Sequence, residues 1–186
     1  MRIITGSAKG LKLKAPAGLS TRPTSDRVKE SVFSVLNGMI NFYEINAVLD
    51  IFAGTGSLGL ESLSRGANFA TFIDFETADV IAENVRRAKF EGVTKILRGD
   101  FVKMLRKISK QNLKFDLIFI DPPYKNNLAI TALELIGKFE LLNTGGLIIV
   151  EYGADEILNT KNFDSIRKLT YGKTTCVEIL TVNGSD

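Results

Sequence analysis

The chain has 186 residues, 45% hydrophobic and 24% charged, which is the composition of one globular domain with a real core. It has no histidine and one cysteine. That excludes a Ser-His-Asp triad and an intrachain disulfide, leaves no imidazole for a metal, and points to a reducing, cytoplasmic setting. The formal charge of +3 is unevenly placed: residues 1–30 hold Arg2, Lys9, Lys12, Lys14, Arg22, Arg27 and Lys29 against Asp26 and Glu30, a local +5, and the rest carries −2. A basic arm on a near-neutral body suits a polyanion, with Lys9, Lys12, Lys14 and Arg22 as candidate RNA phosphate contacts. No apolar run reaches the ~20 residues of a membrane span.

Residues 1–14 read as a β-hairpin, Arg2–Thr5 and Leu11–Lys14 around a Ser-Ala-Lys-Gly turn. A two-proline loop follows over 15–24, and Ser25 or Asp26 caps a helix running to Asn37. From residue 47 strands alternate with helices. Strands are expected at Ala47–Phe52, Ala70–Asp74, Thr94–Leu97, Asp116–Ile120 and Gly146–Glu151, with helices near 57–65, 77–91, 101–110 and 127–139. Continuous apolar runs such as Leu117-Ile118-Phe119-Ile120 suit strands covered on both faces. Ile166–Tyr171 and Thr174–Val182 read as an antiparallel hairpin around Gly172-Lys173. The expected fold is α/β: a doubly wound, mostly parallel seven-stranded sheet with a C-terminal antiparallel hairpin and an N-terminal β-hairpin. One domain spans 1–186, with 1–20 a basic extension and 21–186 the core.

The first alternating strand runs into Gly54-Thr55-Gly56-Ser57-Leu58-Gly59, a G-x-G-x-x-G turn opening a helix. Gly54 permits the turn, Gly56 the approach of a ligand, and Gly59 the packing of helix on strand. Nicotinamide-binding proteins share this pattern. Asp50 departs from it, because a carboxylate inside the strand is costly unless it finds a partner. The ammonium group of S-adenosylmethionine (AdoMet) is such a partner; otherwise Asp50 caps its own turn. Asp74 ends the second strand, where an acid can accept ribose hydroxyls, with Glu76 as competitor; otherwise it serves the start of the next helix. Asp100 follows the third strand and suits an adenine amino group, with the Phe101 N–H meeting a ring nitrogen; otherwise it is an N-cap.

Phe119-Ile120-Asp121-Pro122-Pro123-Tyr124 follows the fourth strand. Two prolines fix two φ angles and remove two donors. Asp121 and the Pro122 carbonyl are left as a rigid pair of acceptors for an amino group on a planar ring, and Tyr124 can stack on that ring. Methyl transfer needs alignment and fixed acceptors and no histidine or metal, which agrees with the inventory.

Together the glycine loop and Asp121-Pro122-Pro123-Tyr124 resemble class I AdoMet-dependent amino-methyltransferases. Thr21-Arg22-Pro23-Thr24-Ser25-Asp26-Arg27-Val28-Lys29-Glu30-Ser31-Val32-Phe33 narrows the resemblance to the RsmD family of bacterial 16S rRNA guanine-N2 methyltransferases, over residues 1 to about 182. The resemblance implies methylation of guanine N2 in small-subunit rRNA, on an assembled or partly assembled particle. It implies a cofactor site of Gly54, Gly56, Asp74, Asp100 and Phe101, with Thr24 and Arg27 closing over the methionine end. It implies a guanine site of Asp121, Pro122 and Tyr124. Relatives usually carry Glu where Asp74 stands.

The competing readings are adenine N6 or a protein glutamine amide as the methyl acceptor, a nicotinamide-dependent oxidoreductase, and a non-catalytic RNA-binding module. Nothing in the sequence calls for an oligomer, so a monomer is expected.

Overall fold

The computed structural model describes residues 1–16, 26–123 and 127–182. Among these residues the helices are α1 (Asp26–Asn37), α2 (Ser57–Arg65), α3 (Ala78–Ala88), α4 (Phe101–Ser109) and α5 (Leu128–Lys138). The strands are β1 (Val48–Ile51), β2 (Ala70–Asp74), β3 (Thr94–Arg98), β4 (Phe115–Ile120), β5 (Leu142–Gly153), β6 (Phe163–Tyr171) and β7 (Thr175–Val182). The helices and strands expected from residue 26 onward are all present. The differences are mostly at ends: α3 stops when Lys89 turns left-handed, at φ 61°.

The strands form one sheet in the order β3-β2-β1-β4-β5-β7-β6. β3 to β5 are parallel, and β7 is antiparallel to both β5 and β6. Successive side chains alternate between faces and sort into two cores. Val48, Phe72, Leu117, Phe119, Ile149 and Val177 pack toward α1, α2 and α3. Leu49, Ile51, Ile73, Ile118, Ile148 and Val150 pack toward α4 and α5. By the same alternation Asp50, Asp121 and Glu151 belong to the first face. Strand order reverses between β1 and β4, and the carboxyl ends there form the usual ligand crevice of open α/β sheets.

β5 begins four residues earlier than expected. Leu142 faces Phe115 and Leu147 faces Leu117, so Asn143-Thr144-Gly145-Gly146 is taken up by a register shift inside the strand.

The N-terminal segment is the expected hairpin with a shorter ladder than its two expected strands. It makes one antiparallel bridge, Arg2 to Lys12, with flanking bonds from the Ile3 N–H to Leu11 O and from the Gly10 N–H to Ile3 O. The N–H groups of Ile4 and Thr5 donate to the Glu61 carboxylate of α2, at 2.7 and 3.1 Å, which ties the arm to that helix. Ser64 takes the next contacts, accepting from the Ala8 N–H at its hydroxyl and from the Ser7 N–H at its carbonyl. Ile3 and Leu13 enter the first core, while Lys9, Lys12 and Lys14 remain exposed.

Candidate active site at the carboxyl edge of the sheet

The chain leaves β1 through Phe52, whose φ of 62° is left-handed although it has a side chain. Such a conformation costs on the order of 1–3 kcal/mol and must be imposed by its surroundings. Part of that support is visible: the Phe52 ring lies 4.7 Å from the Phe101 ring at the start of α4. Gly54 and Gly56 follow at φ 56° and 77°. A Cβ at Gly59 would lie 2.4 Å from the Phe72 ring, so glycine is required for α2 to sit on β2. At Gly54 an added Cβ would meet only the Phe52 carbonyl, at 3.9 Å, so the inner side of the turn has room.

Three acids converge on this turn. Asp50 is 1% exposed and accepts from the Gly59 N–H at 2.9 Å, supplying from β1 the cap that Gly56 cannot supply for α2. Burial pushes its pKa well above the ordinary carboxylate range; the Gly59 bond opposes that, and the charges of Asp121 and Asp74 add to it. Asp74 holds the loop from β2: it accepts from Gly54 N–H at 2.9 Å, Glu76 N–H at 2.9 Å and Thr77 N–H at 2.8 Å. Glu76 itself is exposed. Asp100 is exposed and caps α4, accepting from the Lys103 N–H at 3.1 Å. All three therefore make the structural contacts that the sequence left open as alternatives.

Asp121 is partly buried at the end of β4, followed by the buried Pro122. It shares a small crevice of about 20 Å³ with Lys29 and Val32 of α1, Leu58 of α2, and Ile149 and Glu151 of β5. Arg27 is exposed in the first turn of α1. Thr24, Arg22 and Tyr124, with the proposed Ser25 cap, lie outside the described residues.

Sequence reasoning missed four residues here. Glu151 is 9% exposed at the end of β5; its signal was an acid in step with the inward-facing Leu147 and Ile149. Glu61 and Lys29, both 0% exposed, form an ion pair at 3.5 Å. Asn84 is fully buried and holds the backbone of Lys14 at both N–H and C=O, while its amide also donates to the Thr55 carbonyl of the glycine loop at 3.0 Å. It is the lone polar residue in step with Ile81 and Val85 on the inner face of α3, a pattern legible in the sequence.

A family described as "Conserved hypothetical protein 95" matches residues 1–180. The YlbH protein of Bacillus subtilis (strain 168) is 38% identical over 178 residues, covering 94% of this chain and 95% of its own. The ribosomal RNA small subunit methyltransferase D of Haemophilus influenzae is 34% identical over 176 residues, with 92% and 89% covered. Among solved structures, a hypothetical protein of Thermus thermophilus superposes with a TM-score of 0.82 at 28% identity, covering 98% of this chain and 99% of that one. An O-methyltransferase of Bacillus cereus solved with SAH shares the fold, with a TM-score of 0.65 at 15% identity.

Proposed function

Since the chain belongs to the conserved hypothetical protein 95 family, together with the RsmD methyltransferases, we propose that it methylates the exocyclic N2 of a guanine in 16S rRNA, with AdoMet as donor. One observation carries this reading: Asp50, Asp74 and Asp121 stand at the carboxyl ends of three adjacent strands, where burial raises the pKa of Asp50 and the charges of the other two add to the rise. A site so rich in negative charge favours a cationic ligand. The residues fit AdoMet, with its ammonium and sulfonium groups, better than a dinucleotide, whose pyrophosphate the same acids would repel. When bound, AdoMet supplies an electrophilic methyl group; its S–C bond breaks as the N–C bond forms, and the amine then loses a proton to water.

The protein's own work is positioning. Asp74 and Asp100 accept from the ribose and the adenine, Gly54 and Gly56 bring backbone close to the donor, and Phe52 and Phe101 wall the site. Thr24 and Arg27 close over the carboxylate end. Asp121 and the Pro122 carbonyl accept the two amino hydrogens of the guanine, and Tyr124 stacks on its ring. Held this way, the nitrogen lone pair is freed from the ring and aimed at the donor, and the acceptors stabilise the positive charge that develops on it. The base must leave its stack to reach this edge. The exposed Lys9, Lys12 and Lys14 meet phosphates nearby.

The test is incubation with labelled AdoMet and under-methylated small subunits, followed by nucleoside mass spectrometry. N2-methylguanosine at one site supports the reading. N6-methyladenosine, label in protein, or no transfer contradicts it.

A further inference from the structure

The −2 carried by residues 31–186 conceals a second basic region. Residues 95–114 hold Lys95, Arg98, Lys103, Arg106, Lys107, Lys110 and Lys114 against Asp100 alone, a local +6 that exceeds the N-terminal arm. Arg98 pairs with Asp79, and Lys95 bonds the Gln111 side chain. The other cations are different. Lys103, Arg106 and Lys107 of α4, with Lys110 as its C-cap, lie on the outer side of the helix, and among the described residues none of them pairs with a carboxylate.

Their spacing of three and four residues sets them in one stripe along the helix. Lys103 with Lys107 and Arg106 with Lys110 are like charges at i,i+4, each costing about 0.2–0.5 kcal/mol. The helix dipole favours cations in the last turn, which accounts for Arg106, Lys107 and Lys110. It disfavours Lys103, in the first turn, where the Asp100 cap is the one acid at that end of the helix. The dipole therefore accounts for three of the four cations, and the position of Lys103 and the like-charge pairs are a local cost that folding does not explain.

We infer that this stripe is a second RNA-binding surface, taking backbone phosphates on the flank of the site opposite the N-terminal arm. The inference rests on the reading of an RNA substrate and extends it. Lys103 lies one turn from Asp100, at the carboxyl edge where the target base would enter, and the stripe runs about 10 Å from there, the axial length of about three phosphates on one strand. The arm packs on the α1–α3 face of the sheet and α4 covers the other, so the two basic surfaces bracket the site. A membrane surface does not suit the stripe, because the apolar residues of α4 are turned inward, with Leu105 and Ile108 buried in the second core.

The test compares the wild-type chain with a stripe variant (Lys103→Gln, Arg106→Gln, Lys107→Gln, Lys110→Gln) and a control of equal charge change (Lys89→Gln, Lys138→Gln, Arg167→Gln, Lys173→Gln). Filter binding to deproteinised 16S rRNA over a salt series gives Kd and salt slope, and poly-glutamate serves as an acidic-protein probe. The stripe variant should lose about tenfold or more in rRNA affinity, and its salt slope should fall by about 0.7–0.9 per lost phosphate contact. Its melting temperature should stay level or rise as the repulsion is relieved. The control should keep most of its affinity. An unchanged rRNA Kd and slope, an equal loss in the control, or a loss confined to poly-glutamate overturns the inference. S-adenosylhomocysteine binding by the wild-type chain, measured by calorimetry, tests the methyl-transfer reading separately.

Discussion

Glu61 and Asp50 are both buried acids on the same face of the molecule, and their surroundings are opposite. Glu61 accepts from two backbone N–H groups and from Arg65 Nε at 2.9 Å, and it pairs with Lys29, whose ammonium also donates to Arg2 O at 2.5 Å. Burial lowers the pKa of Lys29, and Glu61 and Asp26 push it back up. Every charge at this anchor has an answering group, and the result is mechanical: α1, α2 and the N-terminal arm are fastened together. Among the described residues Asp50 has one N–H donor, and two further carboxylates lie within electrostatic reach. A buried charge that is answered holds structure; one surrounded by its own sign is a candidate for binding a cation.

The sharpest way to break this contrast is Glu61→Ala. It strands two buried cations and two N–H groups, so stability should fall by about 3–5 kcal/mol in urea unfolding. A loss below about 1 kcal/mol would show that the anchor is not what holds the arm. Asp74→Ala comes next. It should weaken S-adenosylhomocysteine binding by about 1.5–3 kcal/mol in calorimetry, because the acid holds the Gly54 N–H and, in the proposed function, also takes the ribose. The same loss from Glu76→Ala would move the ribose contact to that residue.

Asp50→Asn should have the smallest effect and refines the comparison through pH. Asparagine keeps an acceptor for Gly59, so stability at pH 4 should change by less than about 1 kcal/mol. The folded pKa of Asp50 lies above its unfolded value of about 3.9, so between the two the native state holds the extra proton. The wild-type chain should therefore lose stability as pH rises from about 4 through the folded value. Unfolding at several pH values should show that decline in the wild type and its reduction in Asp50→Asn. Parallel curves would contradict the assignment.

Much of the fold was legible because apolar periods switch cleanly from helix to strand, and because Gly54 and Gly56 turn left-handed while Gly59 makes room for Phe72. Asp50 and Asp74 stood out as acids at the ends of apolar strands. What stayed hidden depended on distant partners. Lys29 and Glu61 read as surface charges, since nothing local announces a buried pair 32 residues apart. The same carboxylate also holds the N–H groups of Ile4 and Thr5, which no local pattern announces. The α4 stripe was lost in a net charge averaged over 156 residues.

The central claim is that Asp121 and its proline turn hold an amine beside a methyl donor. Asp121→Ala measures it most directly, with transfer to under-methylated small subunits and S-adenosylhomocysteine affinity followed together. Transfer should fall by about 10²–10³-fold or more while the affinity stays close to wild type. Near-normal turnover in that variant would contradict the account.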